Sequence, residues 1–200
     1  MNFIAIGSND AYFQEAMSLY DATFPIEIKE PVQVFLDSFK TQEQDPDFFH
    51  FHVLTDNNQL VGFSSFHYLK SENIAYIVYI VINEKYKGQG LGSMFMKHIF
   101  ETIENLAMKY HHNKPSFMLE CEKDEAGNSP LETFYRRFDF EKSAICYHQP
   151  DLHHKNQHVP MNLFIKNHPS KEAISTMYTA KYHQCNRVDL NTLAQLIAQF

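Results

Sequence analysis

The first third of the chain alternates helical patterns with runs that are typical of strands. "NFIAI" predicts a short first strand, and apolar residues spaced three or four apart from Phe13 to Tyr20 predict a helix after it. Pro25 and Pro31 interrupt the pattern before "VQVFLDSF", which predicts a second short helix. The runs "FFHFHVLT" and "QLVGFSSFHYL" favour strands, and the "DNN" between them predicts a hairpin turn.

The middle of the chain joins a buried strand to a long helix through a glycine-rich segment. Ile74 to Ile82, "IAYIVYIVI", is apolar at nearly every position, which predicts a central strand buried on both faces. Beyond the glycines, apolar residues recur every three or four positions from Phe95 to Tyr110 and predict an amphipathic helix. The segment "YKGQGLGS" therefore lies where a strand leads into a helix N-terminus.

The last third of the chain contains three more strand patterns and three more helical ones. "SFMLECE", "SAICYH" and "MNLFI" predict strands, and "SKEAISTMYTAKYH" and "VDLNTLAQLIAQF" predict two C-terminal helices. In "SPLE" we expect Ser129 to cap a short helix, Pro130 to take its first position and Glu132 to complete a capping box.

The connections between the predicted strands are short, which requires antiparallel pairing and predicts an α+β fold. We expect a mixed, mostly antiparallel central sheet flanked by helices, with extra helices at the C-terminus. The chain has 200 residues and no linker of biased composition, so we expect a single domain.

Composition and charge narrow the classes of function. A formal charge of −7 argues against a nucleic-acid partner, because that affinity depends on clustered lysine and arginine. The three cysteines lack metal-ligand spacing and are expected to be reduced thiols. Without a long apolar segment, the chain is expected to be cytoplasmic and to have no membrane contact. His153, His154 and His158 fall in a stretch that predicts a solvated loop rather than a metal site.

Three of the six glycines fall within "YKGQGLGS". Glycines at such a turn permit positive φ and let main-chain N–H groups converge on an anion at a helix N-terminus. Gly88, Gly90 and Gly92 favour a phosphate site over a turn that only packs helix against strand. The segment is not a P-loop, because no Lys-Ser or Lys-Thr follows, and Ser93 replaces the third glycine of a dinucleotide fingerprint.

The order of these elements, with two motifs, resembles the GNAT superfamily of acetyl-coenzyme A-dependent N-acetyltransferases. "KGQGLG" is similar to the family's phosphate loop, although Lys87 stands where the family has Gln or Arg. "NSPLETFYRRFDF" resembles its second motif, an Asn and a short helix ending in Tyr, although Asp139 replaces a Gly at a position expected to be left-handed. The resemblance covers residues 1–165 and leaves 166–200 as a helical extension that we expect to pack on the same domain.

The resemblance implies an acyltransferase that moves an acetyl group from acetyl-coenzyme A to a primary amine of a small molecule or peptide, without a metal. It implies that the main chain of the central strand binds the pantetheine arm and that the glycine loop binds the pyrophosphate. The residues that it implies for the coenzyme are Ile80, Val81, Ile82, Lys87, Gly88, Gln89, Gly90, Leu91, Gly92, Ser93 and Asn128.

The sequence indicates the catalytic groups less clearly than the coenzyme-binding residues. The residues alone favour Tyr135 as an aromatic side chain of the core. The resemblance implies that it protonates the leaving thiolate. For the general base several alternatives stay open. Tyr76 and Tyr79 lie on the central strand but are not carboxylates, Glu120 takes a strand position that is usually structural, and a water relay is a further alternative.

The acceptor is expected to lie beside the connection between the first two helices, as in relatives of the resembled family. This implies Glu27 and Glu30 as substrate-binding residues and predicts a preference for amines with a second positive charge. The C-terminal extension is expected to cover that site or to form a homodimer contact. Two alternative functions stay open: a catalytically silent coenzyme A-binding regulatory module, and a nucleotide-binding module.

Overall fold

The computed structural model describes residues 1–26, 28–153 and 157–200. Within these ranges the strands are β1 (Asn2–Ala5), β2 (Phe49–Asp56), β3 (Gln59–Leu69), β4 (Ile74–Ile82), β5 (Ser116–Glu122), β6 (Glu141–Lys142), β7 (His148–Gln149) and β8 (Val159–Lys166). The helices are α1 (Ala11–Thr23), α2 (Val32–Thr41), α3 (Leu91–Tyr110), α4 (Glu132–Arg136), α5 (Lys171–Gln184) and α6 (Leu190–Ile197). None of the helices in these ranges is long and apolar enough to span a bilayer.

The strands form a sheet in the order β1-β2-β3-β4-β5-β8-β6, with β7 paired to β8. The pairings are antiparallel except for β4 with β5, which run parallel. Parallel neighbours need a long crossover, and α3 provides it. The predicted α+β class with a mixed, mostly antiparallel sheet is confirmed.

The predicted hairpin between β2 and β3 is also present. Its two turn residues, Asn57 and Asn58, have φ angles of 47° and 61°. Asparagine tolerates this left-handed conformation better than most residues, and two-residue turns with positive φ at both positions match the twist of a hairpin. The polar "DNN" thus encodes the turn locally.

Helices cover both faces of the sheet, and β4 contributes side chains to the core clusters on both faces. Tyr76 packs in the cluster formed with α5 and α6, and Tyr79 packs with α1 and α2 on the same face. Ile77 points to the other face, into the cluster formed with α3 and α4. The C-terminal helices therefore share a core cluster with the central strand.

The predicted capping box at the start of α4 is wrong. The helix begins at Glu132, three residues after Ser129, whose hydroxyl instead donates a 2.7 Å hydrogen bond to the carbonyl of Glu122. The Glu132 carboxylate pairs with Arg136, one turn further along the same helix. Ser129 thus fixes the exit from β5 rather than the entry to α4.

The strand predicted over "SAICYH" is mostly wrong as well. Only its last residue, His148, is in a strand, β7. The Ser143 hydroxyl accepts a 3.2 Å hydrogen bond from the N–H of Ile145, a local turn that competes with strand pairing.

Asp139, at the end of the second motif, has the left-handed conformation expected there, with φ of 62°. Lys166 on β8 donates hydrogen bonds of 3.0 Å to its carboxylate and 2.9 Å to the carbonyl of Phe138. The Lys166 ammonium therefore holds in place a backbone conformation that an aspartate adopts less readily than a glycine.

Candidate active site

A bulge in β4 opens the centre of the sheet. Ser65 on β3 faces Tyr79, but the next residue, Phe66, faces Ile77, so Val78 is an extra residue in β4. The parallel pairing of β4 with β5 ends at Ile77 and Leu119, immediately before the bulge. A cleft of about 560 Å³ lies along the strands where they no longer pair.

The open edge of β4 presents main-chain groups to this cleft. The N–H of Asn83 donates to Val61 of the β3 side at 2.9 Å. Residues of an antiparallel pair turn alternately toward and away from the partner, so Val81 also faces β3. The N–H and C=O groups of Ile80 and Ile82 face the other way, where β5 has diverged.

The glycine turn closes one end of the cleft. Gly88 and Gly90 have φ angles of 77° and 78°, and Gly90 is the N-cap residue of α3. Among the described residues no side chain caps this helix, which leaves its first N–H groups free for an anion. A Cβ built at Gly88 or Gly90 would meet no atom within 4 Å, so tight packing does not explain these glycines.

Gly92 differs from the other two glycines. It lies inside α3 and does not adopt the positive φ that a glycine permits. A Cβ built on it would meet the Phe134 ring at 3.7 Å. This is an ordinary van der Waals distance, so a small side chain would fit at Gly92 without moving α4.

Most of the residues expected to bind the coenzyme line the cleft. Those that do are Ile80, Val81, Ile82, Lys87, Gly88, Gly90, Leu91 and Gly92, and Tyr135 lines it with them. Gln89, Ser93 and Asn128 are not part of that lining. The Asn128 side chain is hydrogen-bonded to Asp124 at 3.3 Å, and Lys87 forms an ion pair with Glu84 at the exposed rim.

The cleft passes through the sheet, because side chains alternate along β5. Leu119 and Cys121 belong to the cluster on the α3 face, whereas Glu120 points to the face covered by α5. Both Glu120 and Cys121 line the cleft. The cleft therefore runs through a split in the sheet, which is the gap between β4 and β5 beyond the bulge. It opens on both faces, and we call each opening a mouth: one lies beside α3 and α4 and the other beside α1 and α5, and different residues line them.

Glu120 is held by side chains from two other elements. The Tyr182 hydroxyl, on α5, lies 3.0 Å from each carboxylate oxygen, and Gln149 Nε2 donates to one of them at 3.0 Å. Tyr76 and Tyr182 share a further hydrogen bond of 3.1 Å. Burial raises the pKa of the Glu120 carboxyl, against the opposing effects of the Lys181 charge and the tyrosine donors.

Sequence reasoning gave Glu120 no functional preference. A signal was nevertheless present, since Glu120 is a charged residue inside the buried run "SFMLE", where a carboxylate needs partners. Those partners are distant in sequence, so only the folded chain reveals that the carboxylate lines the cleft.

Tyr135 lies on the opposite face. Its ring packs against Phe140 and Phe164, with ring centroids 6.2 and 5.4 Å away. Burial raises the pKa of the Tyr135 phenol, which keeps it protonated at neutral pH. The Cys121 side chain also contributes to the raised pKa of the Tyr135 hydroxyl. Tyr135 is thus a packed aromatic that also lines the cleft, so its two sequence interpretations are compatible.

The two glutamates expected at the acceptor site have different outcomes. Glu27 lies outside the described residues. Glu30 is only 4% exposed, and its carboxylate pairs with Lys181 and accepts a 2.7 Å hydrogen bond from Asn186. The expectation that Glu30 holds a substrate cation is therefore corrected, because its charge is already neutralised in the interior.

The histidine-rich loop shows no ligand cluster where it is described. His153 and His158 lie within the described ranges and His154 does not. In those ranges no group of three or more His, Cys, Asp or Glu side chains is arranged to hold a metal ion.

Comparison with known proteins places these features in a family. The model of the acetyltransferase (GNAT) family matches residues 13–140. A GNAT-family protein from Bacteroides thetaiotaomicron is similar in structure, with a TM-score of 0.68 at 19% identity over 94% of this chain and 100% of that one. No curated protein matches the chain in sequence.

Two further solved structures share the fold at lower similarity. The ribosomal-protein-S18-alanine N-acetyltransferase of Escherichia coli has a TM-score of 0.56 and 15% identity over 82% of this chain and 91% of that one. Arabidopsis thaliana Naa50, in complex with the bisubstrate analogue CoA-Ac-MVNAL, has a TM-score of 0.55 and 17% identity over 84% and 100%.

Proposed function

The chain belongs to the acetyltransferase (GNAT) family, and on this premise we propose that it transfers an acetyl group from acetyl-coenzyme A to a primary amine. One observation carries the proposal: the split between β4 and β5 connects the glycine turn to Tyr135 on one face and Glu120 on the other. Transfer from a thioester to an amine needs a proton acceptor beside the nitrogen and a proton donor beside the sulfur. The two faces of the split offer one of each.

The glycine turn supports the choice of donor. Free N–H groups at the start of α3 and the positive end of that helix suit a pyrophosphate. The open space beside Gly88 and Gly90 fits this ligand, and the main chain of Ile80 and Ile82 can pair with the amides of a pantetheine arm. When bound, acetyl-coenzyme A supplies the thioester carbonyl that the amine attacks and the thiol that leaves.

Glu120 accepts the amine proton in this proposal. Hydrogen bonds from Tyr182 and Gln149 orient its carboxylate in the cleft. Because burial raises its pKa, Glu120 is a stronger base than an exposed glutamate. Once the proton has moved to Glu120, the nitrogen lone pair is free to form the new C–N bond while the C–S bond breaks.

Tyr135 is the proton donor for the leaving sulfur in this proposal. Its raised pKa keeps the hydroxyl protonated and able to donate a hydrogen bond, and then its proton, as the C–S bond breaks. Two protons leave the nitrogen, one to Glu120 before the attack and one to solvent once the C–N bond has formed, and one proton reaches the sulfur from Tyr135. Exchange with solvent then returns both residues to their starting states.

The relatives support an amine acceptor. The Escherichia coli relative is a ribosomal-protein-S18-alanine N-acetyltransferase, and the Arabidopsis relative was solved with a bisubstrate analogue that joins coenzyme A to the peptide MVNAL. At 15% and 17% identity these proteins do not identify the substrate of this chain.

The proposal is tested by thiol release from acetyl-coenzyme A with a panel of primary amines, with mass spectrometry of the products. We expect an acetylated amine, and we expect Tyr135→Phe to lower its rate of formation about 10²- to 10⁴-fold, the range typical of acid catalysis. Thermal melts with coenzyme A serve as the control for binding, since a ligand at a hundred times its Kd adds about 2.7 kcal/mol of stability.

Three outcomes separate the alternatives. Acetylated product with a coenzyme A-dependent melt supports the proposal. Coenzyme A binding without turnover of any amine contradicts it and favours a silent coenzyme-binding module. Stabilisation by ATP or NAD, but not by coenzyme A, contradicts the choice of donor.

A further inference from the structure

The mouth of the cleft beside α1 and α5 has an apolar wall. The residues that line the cleft there are Thr23, Phe24, Ile28, Val78, Tyr79, Glu120, Glu122, Gln149 and Met161. Phe24, Ile28 and Tyr79 stand together on the side of the connection between α1 and α2, with the Phe24 and Tyr79 ring centroids 5.1 Å apart. In this lining, as far as the structure describes it, carboxylates come only from β5.

The polar groups behind this wall form hydrogen bonds and an ion pair with one another. The Tyr79 hydroxyl lies 3.0 Å from that of Tyr20, which accepts a 2.6 Å hydrogen bond from the N–H of Glu30. The Glu30 carboxylate is paired with Lys181. Tyr79 therefore presents its ring to the cleft, and the buried Glu30 carboxylate, neutralised by Lys181, has no free charge to offer a substrate.

The two carboxylates of β5 differ in their surroundings. Glu120 is half-buried and held by Tyr182 and Gln149, at the point where β4 and β5 separate. Glu122 is exposed at the rim, where water and salt screen its charge. Among the described residues, the part of this mouth behind the rim thus offers one carboxylate, which suits one nitrogen, and apolar surface for the group attached to that nitrogen.

We propose that the acceptor is a primary amine whose nitrogen is attached to an uncharged apolar or aromatic group that packs on Phe24, Ile28 and Tyr79. This inference rests on the proposed function and names its substrate class. A second ammonium on the substrate would lose its water against the described residues of this wall without gaining a partner among them, which is unfavourable. This proposal replaces the preference for doubly charged amines that the acidic sequence predicted.

The test compares kcat/KM for acetyl transfer to four primary amines. 2-Phenylethylamine and a peptide amide beginning with phenylalanine carry the same apolar group. The ratio of their kcat/KM values distinguishes a small-molecule amine from a peptide N-terminus as the acceptor. 1,4-Diaminobutane carries a second charge and ethanolamine a small polar group. We expect the better apolar acceptor to exceed both polar amines by at least about tenfold, the lower end of what a hydrophobic pocket achieves.

Two variants locate the effect. Phe24→Ala is expected to lower kcat/KM for the apolar acceptor about tenfold and to leave the coenzyme A-dependent melt unchanged. Ile26→Ala is the matched control, because Ile26 is an exposed apolar residue of the same connection that does not line the cleft. Equal effects of the two variants would overturn the proposed contact.

The remaining outcomes distinguish a failure of this inference from a failure of the proposed function on which it rests. A preference for 1,4-diaminobutane that disappears in Glu122→Gln or Glu27→Gln would overturn the apolar acceptor and leave acetyl transfer intact. Failure to acetylate any amine, with coenzyme A still bound, would overturn the proposed function and this inference together.

Discussion

The hydroxyl of Tyr182 on α5 lies 3.0 Å from both carboxylate oxygens of Glu120 on β5. A donor that bridges two oxygens restrains the rotation of the carboxylate and favours its charged form. Because α5 lies beyond residues 1–165, which carry the sequence resemblance, the C-terminal extension positions a group of the candidate active site. Tyr182 is thus a positioning residue, and Glu120 is the group that it positions.

Tyr182→Phe is predicted to move the acid limb of the pH profile of kcat/KM toward higher pH. The hydrogen bond lowers the pKa of Glu120, so its loss raises that pKa further, and a base must be ionised to act. A hydrogen bond to a charged group is worth about 1.5–3 kcal/mol, which corresponds to a shift on the order of one pH unit.

Tyr178→Phe is the matched control for this prediction. Tyr178 is a buried tyrosine of the same helix, but its hydroxyl donates to the carbonyl of His148 at 2.8 Å rather than to Glu120. The pH profile should therefore keep its position in Tyr178→Phe. Equal displacement in both variants would indicate a general effect on α5 and count against the positioning role.

Lys181→Met is predicted to destabilise the fold by about 3–5 kcal/mol, because it leaves the Glu30 carboxylate buried without its cation. The double variant with Glu30→Gln is expected to recover much of this loss, since no uncompensated charge remains. Urea unfolding of both variants measures the difference. Lys40→Met, which removes an exposed partner of Asp37, should change stability far less, and a similar loss there would refute the prediction.

Gly90→Val is predicted to lose coenzyme affinity beyond its loss of stability. Positive φ makes any L side chain unfavourable by about 1–2 kcal/mol, and a side chain there would also occupy the space that we assign to the anion. Gly127→Val is the matched control, because Gly127 has φ of 81°, lies in open space and does not line the cleft. Calorimetric titration with coenzyme A should separate the two variants, and equal affinities would favour a purely structural turn.

Local patterns were sufficient to predict much of this fold. Ile74 to Ile82 indicates a buried central strand because its composition alone requires two covered faces. The positive φ of Gly88 and Gly90 follows from residue type, as does the turn at "DNN". The mostly antiparallel sheet then follows from short connections.

The active-site details depend on contacts that no local pattern encodes. The bulge at Val78 arises from the register of β3 against β4. Glu30 and Lys181 are 151 positions apart, and Glu120 and Tyr182 are 62 apart. Glu30 was therefore predicted to be accessible to a substrate, although it is buried and paired with Lys181. Glu120 was interpreted as structural, although it also lines the cleft.

The pH dependence of acetyl transfer in Glu120→Gln tests the central claim most directly. In the unaltered protein, kcat/KM should fall as the pH drops through the raised pKa of Glu120, because protonation removes the base. Glu120→Gln keeps the size of the side chain and should lose that acid limb, with turnover lowered about 10²- to 10⁴-fold and the coenzyme A-dependent melt unchanged. An unchanged rate with the same acid limb would contradict a reaction at the split between β4 and β5 that uses Glu120 as its base.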